Sequence, residues 1–143
     1  MDDGVLALAF PQTFMNISGE AVALLVRRFG LAGDLARLVV VHDELDLPSG
    51  RVKVKQGGGT AGHKGLASIR AHLHGDAFLR VRIGIGKAPG ARSAADHVLR
   101  RPGASQRQEL DVAVEEAADA VGLILTDGVV AAMNRFNPDR NPA

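Results

Sequence analysis

The sequence contains no cysteine, tryptophan or tyrosine, and its five phenylalanines are its only aromatic residues. The lack of cysteine excludes disulfides, thiolate metal sites and a cysteine nucleophile. The shortage of aromatic rings argues against a platform on which nucleic-acid bases stack. Uninterrupted apolar runs, such as residues 5–10 and 38–41, are far shorter than the roughly 20 residues that cross a bilayer, so no transmembrane helix is predicted. The chain starts with acidic residues where a secretory signal would be basic, and a cytoplasmic location is expected.

The composition is ordinary for one globular domain. The 143 residues are 46% hydrophobic and 23% charged, and this length is near the commonest size of a single domain. The charge is unevenly distributed, because residues 51–101 contain eleven Lys or Arg and two acids, whereas the remainder contains six and fourteen. A block with a net charge of +9 is either a solvated face or, as we favour, a surface for a polyanion.

Strands and helices alternate in the hydrophobic pattern. Apolar runs predict strands at residues 5–10, 37–42 and 80–86, and the alternation at 51–55 predicts a half-buried strand with a basic outer face. Helical spacing predicts helices at 18–30, 62–73, 106–125 and 131–135, a short helical turn at 94–99, and a frayed tail from 137. The expected buried stripe of the long helix is Val112, Ala113, Ala117, Ala120 and Leu123, and Ser18 and Gly30 are expected to cap and to end the first helix. The alternation indicates an α/β fold with a mixed or parallel sheet.

An acidic cluster, Asp43, Glu44 and Asp46, follows His42 at the end of the predicted strand at 37–42. Ligands of open α/β sheets bind at the carboxyl ends of strands. A carboxylate such as Asp43 can orient a histidine there and stabilise the imidazolium that forms when it takes a proton from water. A solvated acidic turn, or an Asp43 that caps backbone groups, is an equally open interpretation. The cluster lacks the spacing of a metal-ligand set, and no metal site is predicted.

A glycine-rich loop precedes the predicted helix at 62–73. Its backbone N–H groups can receive an anion or a carbonyl oxygen, although a turn that needs positive φ explains the glycines as well. Gly57, Gly59 and Gly62 match the dinucleotide fingerprint, but the strand at 80–84 is basic where that fingerprint requires an acid, so a nicotinamide site is not favoured. Near the first helix, Asn16 can hold a substrate carbonyl, but taken alone it is better explained as a helix cap.

Four motifs together resemble bacterial peptidyl-tRNA hydrolase: residues 11–19 (PQTFMNISG), 41–48 (VHDELDLP), 57–65 (GGGTAGHKG) and 80–86 (RVRIGIG). The resemblance covers about Leu8 to Asn137. It implies one α/β domain over residues 1–143, with a mixed, mostly parallel sheet between helices. It also implies a monomer without metal, cofactor or membrane contact that hydrolyses the ester between peptide and tRNA in peptidyl-tRNA.

The resemblance implies roles for the residues at matching positions. Asp43 corresponds to the acid that supports the catalytic base, and Asn16 to a catalytic residue at the reacting carbonyl. Substrate binding is implied for Phe14, Met15, Asn16, His63 and Lys64, and tRNA binding for Lys53, Lys55 and Arg82. The last three lie in the basic block, where phosphate contacts are expected.

The sequence departs from the family in three places. Family members begin with a strand, a Gly-Asn-Pro-Gly turn and Thr-Arg-His-Asn, whose His is the general base, and no such stretch occurs here. Lys64 stands in place of Asn, and Ala61 in place of Gly. We therefore expect an N-terminally incomplete domain that lacks its first strand and has impaired activity, because loss of a general base typically lowers a rate about 10²–10⁴-fold. The alternative is a non-catalytic RNA-binding protein on the same scaffold, which needs no histidine.

Overall fold

The computed structural model describes residues 5–12, 14–60, 62–86 and 103–138. The chain divides into two compact units, one formed by Met1–Val39 with Gln56–Leu79 and the other by Val40–Lys55 with Arg80–Ala143. The first unit is helical, and the second contains most of the sheet and two further helices. The predicted turn at 94–99 lies outside the described residues.

The first unit is built on two helices, α1 (Ser18–Arg28) and α2 (Lys64–Leu73), which pack against each other. Two short 3₁₀ turns, Met15–Ile17 and Leu35–Arg37, accompany them. At the contact, the backbone N–H of Gly19 donates to Ser68 Oγ at 2.8 Å, and a Cβ on Gly19 would overlap the Ser68 carbonyl. Glycine is required there because the two backbones approach too closely for any side chain.

The sequence predictions for the two ends of α1 have different outcomes. Gly30 ends the helix as expected: it has φ of 68°, and its N–H and that of Leu31 return to the carbonyls of Arg27 and Val26. The expectation for Ser18 is wrong, because Ser18 is the first helical residue and its hydroxyl donates backwards to the Met15 carbonyl at 2.8 Å. A 3₁₀ turn immediately before the helix supplies its start instead of a side-chain cap.

The second unit carries three strands, β1 (Val39–Glu44), β2 (Val52–Gln56) and β3 (Leu79–Gly84), in the order β1-β3-β2. Backbone bonds from Leu79 to Leu38 and from Ile85 to Glu44 make β1 and β3 parallel, whereas bonds from Gly84 to Arg51 and from Gly57 to Phe78 make β3 and β2 antiparallel. The sheet is therefore mixed, as predicted. The described strands give one pair of each kind.

Two helices, α3 (Ala104–Asp127) and α4 (Val129–Phe136), complete the second unit and pack on each other. The buried stripe of α3 is Ala113, Ala117, Ala120 and Ile124. The expectation of Val112 in that stripe is wrong, since its side chain is 55% exposed. On the sheet, Val52, Val54 and Val81 are almost fully buried, and Lys53 and Lys55 alternate with them at intermediate exposure, as the sequence pattern predicts.

Two further predictions fail. Residues 5–10 do not form a strand, and Val5, Leu8 and Phe10 are more than 80% exposed. An apolar run becomes a strand only when a neighbour takes up its backbone N–H and C=O groups, and none of the described strands does so. The tail is not frayed at Asn137, whose side-chain amide accepts from Val54 N at 2.7 Å and donates to Val54 O at 2.8 Å.

Candidate active site

Asp43 lies one residue before the end of β1 and is half-buried. Its neighbour His42 is 8% exposed and is turned away from it, because successive side chains of a strand point to opposite faces. The His42 ring lies with Nδ1 at 2.7 Å from the Asp43 backbone carbonyl and accepts at Nε2 from Arg80 Nε at 3.3 Å. His42 therefore belongs to the opposite face of the sheet from the Asp43 carboxylate.

The end of β1 is held by Glu44. Its Oε1 is 3.8 Å from Arg82 Nη1, and its Oε2 accepts from the Asp46 N–H at 3.3 Å. Both side chains are largely buried, with 11% exposure for Glu44 and 18% for Arg82. Arg82 Nε is buried without a hydrogen-bond partner among the described residues. The acidic cluster is thus an ordered turn, and its three carboxylates have different surroundings.

One face of the sheet is cationic. The bonds that align Arg51 with Gly84 and Gly57 with Phe78 place Lys53 directly across from Arg82. Lys55 lies across from Arg80 by the same register, and residues directly opposite each other project from one face. The three predicted tRNA-binding residues, Lys53, Lys55 and Arg82, therefore share a face. Their charge is evident in the sequence, whereas their common face follows from the register of β2 against β3.

The edge of this face is covered by the end of α4. The Asn137 amide pairs with both backbone groups of Val54 as a further strand would, and Arg51 Nη2 donates to the Pro138 carbonyl at 3.2 Å. An edge strand without such cover exposes unpaired backbone groups. Asn137 was missed by sequence reasoning, since no local pattern links it to a strand 83 residues earlier.

The first unit carries the other predicted site residues. Phe14 is 81% and Met15 is 52% exposed, whereas the side chain of Asn16 lies outside the described part of the chain. Met15 and His63 approach each other at Gly65: a Cβ there would lie 2.6 Å from Met15 Sδ and 3.0 Å from His63 Cε1. Two motifs far apart in sequence thus meet at one glycine.

His63 and Lys64 start α2. The His63 ring accepts at Nδ1 from the Leu66 N–H at 3.1 Å, which makes His63 the helix cap, and Lys64 is the first helical residue and is exposed. In the preceding loop, Gly57, Gly58 and Gly62 have φ of 70°, 100° and 81°. These values agree with the interpretation of the glycines as residues of a turn that needs positive φ.

The structure therefore groups Phe14, Met15, His63 and Lys64 in the first unit and Asp43, Lys53, Lys55 and Arg82 in the second. Within the described ranges, no three His, Asp or Glu side chains are grouped as metal ligands. The same ranges include no helix that is long and apolar enough to cross a membrane.

Comparisons with known proteins agree with one another. The family model for peptidyl-tRNA hydrolase matches residues 2–143. The peptidyl-tRNA hydrolases of Cutibacterium acnes and Rhodococcus erythropolis are each 49% identical to this chain, over 96% and 91% of it and over 68% and 67% of their own lengths. The crystal structure of the peptidyl-tRNA hydrolase from Acinetobacter baumannii superposes with a TM-score of 0.80 at 35% identity, covering 89% of this chain and 63% of that one. The chain thus spans about two thirds of these relatives, and the α/β fold with a mixed sheet is confirmed.

Proposed function

This chain belongs to the peptidyl-tRNA hydrolase family, and on that premise we propose that its site serves hydrolysis of the ester between peptide and tRNA in peptidyl-tRNA. The products are free peptide and free tRNA. The observation that carries the proposal is the half-buried carboxylate of Asp43 at the carboxyl end of β1, in a sheet whose other face carries Lys53, Lys55 and Arg82. A carboxylate at a strand end suits acid–base chemistry, and a cationic face suits a phosphate backbone.

In the proposed reaction, a water molecule attacks the ester carbonyl and the tRNA ribose oxygen leaves. Asp43 supports the base that takes the proton of this water, by accepting a hydrogen bond and stabilising the positive charge that forms. Asn16 donates to the oxygen of the reacting carbonyl, where negative charge develops. These roles rest on the match of residues 11–19 and 41–48 to the family motifs.

The two parts of the substrate, the tRNA and the peptide, are assigned to different sets of residues. We assign the tRNA phosphates to Lys53, Lys55 and Arg82, since Glu44 orients the Arg82 guanidinium before any ligand arrives. We assign the peptide to Phe14, Met15, His63 and Lys64, because the exposed ring and thioether offer apolar contact beside polar helix-start groups. Lys64 adds a positive charge where the family has an amide, which favours peptides with an acidic residue near the ester.

None of the five histidines lies in a Thr-Arg-His-Asn motif. Three of them use Nδ1 locally: His42 at the Asp43 carbonyl, His63 at the Leu66 N–H and His72 at the Ser68 carbonyl. We therefore propose that the chain turns over slowly. The single-domain organisation, the N-terminally incomplete start, the monomeric state, the cytoplasmic location and the independence from metal and cofactor remain predictions.

The test is release of peptide from an N-acetylated aminoacyl-tRNA under single-turnover conditions, with the chain in excess so that slow cleavage is detected. We expect release that falls at least tenfold in Asp43→Asn and that rises when imidazole is added to the buffer, since a small imidazole can act as the base. Asp46→Asn, an exposed acid in the same turn, is the matched control and should leave the rate unchanged. Tight tRNA binding without any release, with or without imidazole, would favour the alternative, a non-catalytic RNA-binding protein.

A further inference from the structure

Arg80 and His42 are two of only four buried polar side chains in the described residues, with 3% and 8% exposure. They lie on adjacent parallel strands, and Arg80 Nε is 3.3 Å from His42 Nε2. Burying a guanidinium is unfavourable unless its donors are engaged, so this contact is an organised feature of the second unit. It lies next to Asp43, yet neither residue has a part in the reaction proposed above.

The Arg80–His42 pair determines the tautomer of the imidazole. A guanidinium only donates hydrogen bonds, so Nε2 must be the unprotonated, accepting nitrogen. The proton of the neutral ring then lies on Nδ1, which donates to the Asp43 carbonyl oxygen at 2.7 Å. One tautomer satisfies both contacts, whereas the other would place two donors face to face at Arg80 and two acceptors face to face at Asp43.

The direction of the Asp43 carbonyl follows from the pairing of β1 with β3. Glu44 O accepts from Ile85 N on β3, and since successive carbonyls of a strand alternate in direction, the Asp43 carbonyl faces away from β3. The described sheet has β1 at its edge, and His42 Nδ1 lies 2.7 Å from the Asp43 carbonyl oxygen there. His42 thus contacts the carbonyl of the peptide between Asp43 and Glu44, and β3 holds the Glu44 carbonyl, one peptide further along β1.

We propose that His42 and Arg80 are positioning residues for Asp43: the imidazole, kept in its Nδ1-protonated form by Arg80, holds the Asp43 peptide and so aims the carboxylate on the opposite face. The inference rests on the proposed function, because it gives Asp43 a reaction to serve. Rotation of this peptide would swing the carboxylate, and a misplacement of about 1 Å at a reacting group can lower a rate roughly 100-fold.

The first experiment determines which nitrogen of the His42 ring is protonated, and it does not depend on enzymatic activity. Nitrogen NMR of the wild-type chain should show His42 with a protonated Nδ1 and an unprotonated Nε2. In Arg80→Leu the Nε2-protonated form, which free histidine prefers, should become populated beside the Nδ1-protonated form, and amide exchange at residues 44–46 should accelerate several-fold. Arg80→Lys keeps a donor and should retain the original tautomer. A wild-type ring protonated at Nε2, or amide exchange that is unchanged in Arg80→Leu, would overturn the inference even if no peptidyl-tRNA is cleaved.

The second experiment separates positioning from folding by kinetics. In His42→Leu, kcat should fall roughly 10- to 100-fold while KM stays within about twofold, and urea unfolding should show a folded protein. His42→Asn places an amide donor where Nδ1 was and should recover most of kcat. If His42→Leu keeps its kcat while wild type is active, positioning is wrong although the proposed function stands. If wild type shows no release, the proposed function fails, and the NMR result alone decides the inference.

Discussion

The predicted site residues of this protein are held in two different ways. Asp43, Lys53, Lys55 and Arg82, the strand set, lie in a hydrogen-bonded sheet, are half-buried, and have their surroundings organised by Glu44, His42 and Asn137. Phe14, Met15, His63 and Lys64, the helix-start set, lie where helices begin, and Phe14, Met15 and Lys64 are exposed. The difference is one of support: the residues that we assign to the reaction and to tRNA lie on strands, whereas those that we assign to the peptide lie where helices begin and are mostly exposed. The following variants disturb the surroundings of one set at a time.

The largest effect is expected at Gly84 of β3, near the strand set, where there is no space for a side chain. A Cβ at Gly84 would overlap the Pro48 carbonyl, a backbone atom that cannot rotate away, and it would also lie 2.9 Å from Leu47. Gly84→Ala should lower the free energy of unfolding by roughly 3 kcal/mol, the upper part of the range for overpacking. Gly122→Ala is the control, because nothing lies within 4 Å of that site in α3 and alanine should stabilise the helix by up to about 1 kcal/mol. Urea unfolding measures both, and equal midpoints would contradict the account.

The next largest effect on stability is expected at Asn137, which covers the edge of β2. Asn137→Leu removes the partner of both backbone groups of Val54, a fully buried residue, and should lower the free energy of unfolding by about 2 kcal/mol. Asn137→Asp keeps the acceptor only and should fall between wild type and Asn137→Leu. Asn134→Leu on the exposed face of α4 should change the stability by less than about 0.5 kcal/mol. A loss no greater than that of the control would show that the tail does not protect the strand.

A smaller effect, on the salt dependence of tRNA binding, distinguishes the two sets. Lys53→Gln combined with Lys55→Gln should weaken tRNA binding roughly tenfold and reduce the slope of log K against log salt by about 1 to 2, since each lysine that neutralises a phosphate releases counterions. Lys64→Gln in the helix-start set should leave that slope nearly unchanged. Filter binding between 50 and 200 mM salt is the measurement, about the range over which such slopes are resolved. Identical slopes for all variants would remove the cationic face from the tRNA interface.

The smallest effect lies beneath the helix-start set. Ser68→Ala removes the buried acceptor of the Gly19 N–H and should lower the free energy of unfolding by about 1 kcal/mol. The exposed Ser105→Ala in the first turn of α3 is the control. Peptide release should stay near the wild-type rate in both variants, because the exposed contacts tolerate small shifts. A fall in release as large as that of Asp43→Asn would show that the helix-start set is as rigid as the strand set.

Much of the fold follows from local pattern. The alternation of Val52 and Val54 with Lys53 and Lys55 predicts β2, and the Gly30 stop of α1 follows from chain chemistry alone. Predictions fail where a distant partner decides the outcome. Residues 5–10 are as apolar as β1, but β1 has β3 beside it and residues 5–10 have no strand partner in the described part of the chain.

The candidate site shows the same division. The motif around Asp43 and the charges of Lys53 and Arg82 are evident in the sequence, and the family resemblance gives them roles. The Arg80–His42 pair is not evident, because Arg80 and Arg82 look equivalent in the alternation Arg-Val-Arg. Only the register of β3 against β1 directs Arg80 to His42 and Arg82 to Glu44.

The division of labour between the two sets is tested most directly by the kinetic constants of Asp43→Asn and Phe14→Ala on one N-acetylated aminoacyl-tRNA. We predict that Asp43→Asn lowers kcat at least tenfold with KM nearly unchanged, whereas Phe14→Ala raises KM severalfold with kcat nearly unchanged. The reverse pattern, with kcat lost at Phe14 and KM raised at Asp43, would contradict the assignment of chemistry to the sheet and of peptide contact to the helix starts.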